Sequence, residues 1–131
     1  MSALSWTEIA GQFVVVHNAQ LNNALALCVD ELACDVVQMD LRAVAQQADA
    51  LTILAQRGQF PDYFGGNLDA LYDVMSERID ASATTSTTNQ LWLIRSLPAQ
   101  EKMLYPIFDT LRDALSQSSG ITLTLLWWIN E

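Results

Sequence analysis

Four short apolar runs alternate with segments whose apolar residues recur at helical spacing, and this alternation leaves the chain few architectures to adopt. The first run, Phe13-Val14-Val15-Val16, is β-branched and too short for a helix, as expected of a buried strand in a sheet covered on both faces. Asp35 to Leu41, Gln90 to Arg95 and Ile121 to Ile129 read as three further strands. Between the first two, Leu21, Ala24, Leu25, Cys28 and Leu32 form an amphipathic stripe that would place Cys28 in the core. Short links around that strand–helix–strand unit imply a right-handed parallel crossover. Val44, Ala48, Leu51, Leu54 and Ala55 mark the next helix, with Gly58 as its C′ residue. Residues 81–89, ASATTSTTN, read as a polar surface loop. Pro98 suits a short turn, and Pro106 lacks the N–H that a helix interior needs. The last helix is therefore expected from about Pro106 to Gln117, with Leu104, Ile107, Leu111 and Leu115 buried. The expected fold is an α/β layered domain with a small, mostly parallel sheet packed by helices.

Charge narrows the possible partners. Fifteen acids against six bases leave a formal charge of −9 on 131 residues, which disfavours a phosphate-binding surface and favours a cationic partner. Direct binding of nucleic acid is not expected. Cys28, Cys34 and the single histidine, His17, make no metal-ligand constellation, and the thiols read as buried and free. No cofactor or metal is expected. The start, MSALSWTEIAG, lacks the basic n-region of a signal peptide, with Trp6 and Ile9 its only anchors, and no apolar run reaches membrane-spanning length. The chain is expected in the cytoplasm, as one domain over 1–131.

The stretch Phe60 to Met75, FPDYFGGNLDALYDVM, carries the functional signal. Pro61 biases Phe60 to an extended backbone, Gly65-Gly66 allow a sharp turn, and Asn67 is a good N-cap. Leu68, Leu71, Met75 and Ile79 then make the inward face of a helix, whereas Asp69, Tyr72, Asp73 and Ser76 share another. Asp69 and Asp73 stand one turn apart, roughly 6 Å between β-carbons, and repel each other by about 0.2–0.5 kcal/mol. Two carboxylates beside a tyrosine, behind a glycine loop, make a compact site for something cationic. A magnesium site would need more acids than these, and a phosphate would be repelled. No nucleophile with a base, metal cage or phosphate-cradling loop is present, so no enzymatic activity is expected.

The run PDYFGGNLDALYDVM resembles the core motif of the barstar family, small intracellular proteins that inhibit ribonucleases. Arg112-Asp113-Ala114 and Ile121-Thr122-Leu123 resemble that family's last helix and closing strand. The resemblance implies a barstar-like core over 35–131, with 1–34 as an N-terminal extension adding one strand and one helix to a sheet of three to four strands. It implies a partner-binding surface made of Tyr63, Gly65, Asn67, Asp69, Tyr72, Asp73, Ser76 and Asp113. Asp73 matches the aspartate that enters the ribonuclease active site, Asp69 the acid one turn earlier, and Tyr63 a stacking aromatic. Gly65 and Asn67 match backbone and loop contacts. Tyr72 stands where the family often has tryptophan, Ser76 replaces a contact threonine, and Asp113 matches an acid on the last helix. The implied function is an immunity-type inhibitor that occupies a basic ribonuclease's active site with an acidic helix. The alternative is a protein-binding module of the same fold for a different basic partner. The oligomeric state is left open.

Overall fold

The computed structural model of the chain describes residues 12–26, 35–85, 90–116 and 123–131, with backbone alone for 79–85. The expectations placed on Trp6, Ile9, Cys28, Leu32, Cys34, Ile79, Ile121 and Thr122 lie outside the described residues or side chains.

In chain order the elements are β1 (Phe13–His17), α1 (Asn18–Ala26), β2 (Asp35–Asp40), α2 (Gln47–Arg57), α3 (Leu68–Thr85), β3 (Gln90–Ser96), a 3-10 turn (Pro98–Gln100), α4 (Glu101–Ser116) and β4 (Leu123–Ile129). The four strands form one parallel sheet in the order β1-β4-β3-β2. The α/β layered class is as expected.

β3 and β4 occupy the middle, which explains why LWLI and LTLLWWI are apolar without alternation. Both of their faces meet helices. On one face Met39, Trp92, Ile94, Leu125, Trp127 and Ile129 pack against α2, α3 and α4 through Leu51, Leu54, Leu71, Met75, Ile107 and Leu111. On the other, Val16, Leu91, Leu93 and Leu126 pack against Ala24 of α1, with Leu21, Leu25 and Trp128 around them.

Several expectations are corrected. β1 and β2 are parallel, as expected, and form opposite edges of the sheet, with β4 and β3 between them. β1 is accordingly less buried than its sequence suggests, with Val16 buried and Val15 36% exposed. An apolar run records contact with apolar matter, and not position within a sheet. The stretch 81–85 continues α3 as helix and is not loop, because alanine among its residues sustains the helix begun at Leu68; residues 86–89 lie outside the described ones.

α2 begins at Gln47, so Val44 precedes it, and Ala48 faces solvent while Ala50 is buried with Leu51 and Leu54. Gly58 does not take the left-handed conformation of a C′ glycine. Its φ is −81°, and the left-handed residue is Gln59 at 55°. Space is what requires glycine at 58. A Cβ there would stand 2.7 Å from the Leu54 carbonyl oxygen and 2.9 Å from both the Phe60 and Trp92 rings. Backbone and two core aromatics cannot all yield. Gly58→Ala is expected to cost about 1–3 kcal/mol of stability, as overpacking does, read as a lowered urea midpoint at unchanged slope.

α4 runs through Pro106 from Glu101, five residues earlier than expected. The proline deprives only the Lys102 carbonyl of its donor, and Lys102 lies on the exposed side of α4, where an orphaned carbonyl costs little. The Thr110 hydroxyl donates to the Pro106 carbonyl at 2.8 Å. The buried face is as expected, Leu104, Ile107, Leu111 and Leu115, joined by Phe108.

Candidate functional site

The loop before α3 is pinned from below by aromatic packing. Phe60 and Phe64 meet edge to face at 5.0 Å, and Phe60 lies tilted on Trp92 of β3 at 6.2 Å. The Phe64 amide donates to the Pro61 carbonyl at 3.0 Å, closing a turn around Asp62 and Tyr63. Tyr63 therefore points away from the core, 69% exposed. Of the two glycines, Gly66 alone requires glycine's freedom, with φ of 73°; Gly65 has ordinary backbone and exposed surroundings. The turn delivers Asn67 as the N-cap. Its Oδ1 accepts from the Ala70 amide at 2.8 Å, and its carbonyl accepts from Leu71 at 2.9 Å.

Leu71, Val74 and Met75 bury the inner face of α3, which fixes the direction of the outer one. Asp69 and Asp73 are exposed, and neither forms an ion pair among the described residues. Asp69 also lies in the first turn, where the helix dipole favours an acid. Tyr72 is half-buried and packs on the core cluster, so its ring is a part-exposed shoulder beside Asp73. Ser76 is half-buried too, and its Oγ is shielded without a hydrogen-bond partner.

Sequence reasoning missed Glu77. It continues the row Asp69, Asp73 at the same interval of four, so three carboxylates rise along one side of α3. The spacing alone was enough to find it. Its Oε2 accepts a hydrogen bond from the Tyr63 hydroxyl at 2.6 Å, which ties the exposed loop aromatic to the helix. That bond to a carboxylate, more than the modest burial around it, raises the phenol's pKa above its ordinary value. The negative oxygen favours the protonated phenol and opposes the phenolate. Glu77→Gln is thus expected to let Tyr63 ionise at lower pH, a change visible in the ring resonances of Tyr63 against those of Tyr72 and Tyr105.

Two concavities flank the row. One, about 250 Å³, is lined by Gln59, Phe60, Pro61, Val74, Glu77 and Arg78. The other, about 340 Å³, lies between the start of α2 and the cap of α3 and includes Gln47, Gly66, Asn67 and Asp69. Tyr63, Gly65, Asn67, Asp69, Tyr72, Asp73 and Ser76 are thereby collected on one loop–helix unit. Asp113 is on α4, which packs beside α3. It is exposed, and no hydrogen bond or ion pair joins its carboxylate to that unit; its backbone carbonyl accepts from Ser116.

Among the described residues no three His, Cys, Asp or Glu side chains gather as a metal would need, and no helix is long and apolar enough to cross a membrane. What the arrangement offers is a row of acceptors with all lone pairs but one hydrogen bond open to a donor from outside. Such a row suits guanidinium or ammonium groups.

The model of the family described as Barstar (barnase inhibitor) matches residues 34–127. Among curated proteins no match was found. The matched residues run from β2 into β4 and include the loop, α3 and Asp113; β1 and α1 precede them.

Proposed function

The chain belongs to the barstar family, and from that membership we propose that it is a cytoplasmic inhibitor of a basic ribonuclease. One observation carries the proposal: Asp69, Asp73 and Glu77 form an exposed row on a rigidly capped helix, and no base of the chain neutralises any of them among the described residues. A ribonuclease must hold phosphates, so its active site is lined with cations. Carboxylates spaced one helical turn apart accept charge-assisted hydrogen bonds from those cations in place of the RNA backbone. Inhibition follows from occupancy and needs no catalytic group on this chain.

Tyr63 supplies a flat, exposed ring to stack on the enzyme, held by Glu77 and therefore ordered before binding. Tyr72 supplies the apolar shoulder, Gly65 and Asn67 allow close approach of the loop, and the family motif assigns Ser76, whose hydroxyl is shielded in the free chain, and Asp113 to the rim. Their assignment follows the family motif; Tyr72 and Ser76 also share the face of α3 that carries Asp69 and Asp73, whereas Asp113 is on α4. The net charge of −9 steers a cationic enzyme towards this face.

The test is affinity capture from lysate with wild type beside Asp69→Ala/Asp73→Ala, followed by an RNA-cleavage assay on what only the wild type retains. A basic nuclease whose activity the wild type suppresses supports the reading. Retention of a basic protein without nuclease activity would replace it with a different cationic partner, and identical retention by both baits would move the site off α3.

A further inference from the structure

Five of the six basic side chains have an evident position. Arg42 pairs with Asp40, Arg57 donates to the Gln38 carbonyl, Arg95 donates to Asn130 and covers Trp128, and Arg112 lies beside Asp109 and Phe13. Lys102 is exposed on α4. Arg78 differs from all of these. It is half-buried, its guanidinium carbon is 5.2 Å from the centroid of Trp92, and it donates to no oxygen among the described residues. Burial lowers its pKa, and no acid offsets that effect. In a chain with fifteen acids this is unusual. The acid next to it, Glu77, accepts from Tyr63 instead.

A cation–π contact holds a guanidinium flat but uses none of its five N–H donors. Arg78 also lines the concavity of about 250 Å³ with Phe60, Pro61 and Val74 as walls. The group is thus oriented, partly dried and lacking an acceptor, the state in which a fork of N–H donors binds a planar acceptor well. We propose that Arg78 receives a carboxylate of the protein partner, an Asp or Glu side chain at the edge of the partner's cationic cleft. The identity of that partner rests on the function proposed above. A carboxylate fits better than a phosphate, since Glu77 lines the same concavity and would repel a dianion more strongly. Arg78 follows Glu77 by one residue, so it stands about 100° round α3 from the carboxylate row and is reached beside that row, through the concavity. An acidic row with a cation beside it rejects a uniformly cationic surface and selects one that has an acid beside its cleft.

The test uses model compounds on the full chain, so it does not depend on the carboxylate row. Arginine Nε–H resonances of the labelled protein are followed during titration with acetyl-glutamate amide, and with the neutral acetyl-glutamine amide, at constant ionic strength. Arg78 is expected to move saturably with the glutamate derivative, at least about three times as far as Arg112, whose nearest acid already competes. Arg78→Met keeps an apolar stem over Trp92 and should abolish the response. Equal movement at Arg78 and Arg112, or an equal response to both probes, overturns the proposal, as does saturation by inorganic phosphate at about a tenfold lower concentration. The titration of the wild type decides the matter even if the variant folds poorly. Failure here would leave the Asp69/Asp73 capture result standing, and failure of the capture would leave this titration standing.

Discussion

Asp73→Ala should weaken binding to the captured nuclease by at least about 30-fold, roughly 2 kcal/mol, with Asp69→Ala a smaller loss and the double variant the largest. The range for truncating one member of a desolvated charge pair rests partly on the barnase–barstar complex itself, and it transfers to this chain as an expectation. Stability should change little in either variant. Both residues are exposed and unpaired, and removing either relieves an i, i+4 repulsion of about 0.2–0.5 kcal/mol. For Asp69 the lost helix-dipole contribution of about 0.3–1 kcal/mol offsets that gain, so neither variant should change stability by more than a few tenths of a kcal/mol. Loss of binding at an unchanged urea midpoint is therefore the signature of a surface kept for a partner. Added salt should slow association of the wild type more than of the double variant, because steering is screened over about 8 Å at physiological ionic strength. Variants that unfold would make the carboxylates structural, and undiminished affinity in both would remove them from the interface.

Trp127→Ala is expected to cost about 3–5 kcal/mol, a large share of the 5–15 kcal/mol that holds a typical domain. The side chain is fully buried at the centre of the sheet, between Phe13 and Phe108, and its Nε1 donates to Ser96 Oγ at 2.8 Å. Truncation leaves a cavity among aromatics and strands a buried hydroxyl on β3. Trp127→Phe separates these effects, since it keeps most of the ring volume and loses the hydrogen bond. It should cost clearly less than the alanine. Equal losses would mean that the Ser96 bond, and not the packing, dominates at this position.

The two tryptophans at the end of β4 also show how far a one-dimensional pattern reaches. Adjacent strand residues face opposite ways, so Trp127 enters the helix-covered core while Trp128 sits half-buried under Arg95 on the other face. That alternation follows from the strand assignment. Which of the two would be the core member does not, because both flanking surfaces are apolar.

The loop–helix unit was legible for the same local reasons. A proline, a left-handed glycine, a capping asparagine and a period of 3.6 act within a few residues of each other, so Gly66, Asn67, Asp69, Asp73 and the buried Leu71 and Met75 take the places their order dictates. Glu77 was equally legible by its spacing. Its bond to Tyr63 was not, since that depends on how a turn folds back on its helix.

By itself the sequence determined the alternation of strands and helices, the acidic face of α3 and the family motif, because propensity, capping and periodicity are properties of neighbours in the chain. Only the tertiary structure decided that β1 and β2 take opposite edges, that Gly58 is required for space between α2 and Trp92, and that Pro106 is tolerated inside α4, where the carbonyl it orphans belongs to exposed Lys102. It also decided that Gln100 is buried, donating to the carbonyls of Leu41 and Val44 and accepting from the Leu97 amide. Each of these depends on which surfaces meet across the fold, and contact between distant segments leaves no local signal.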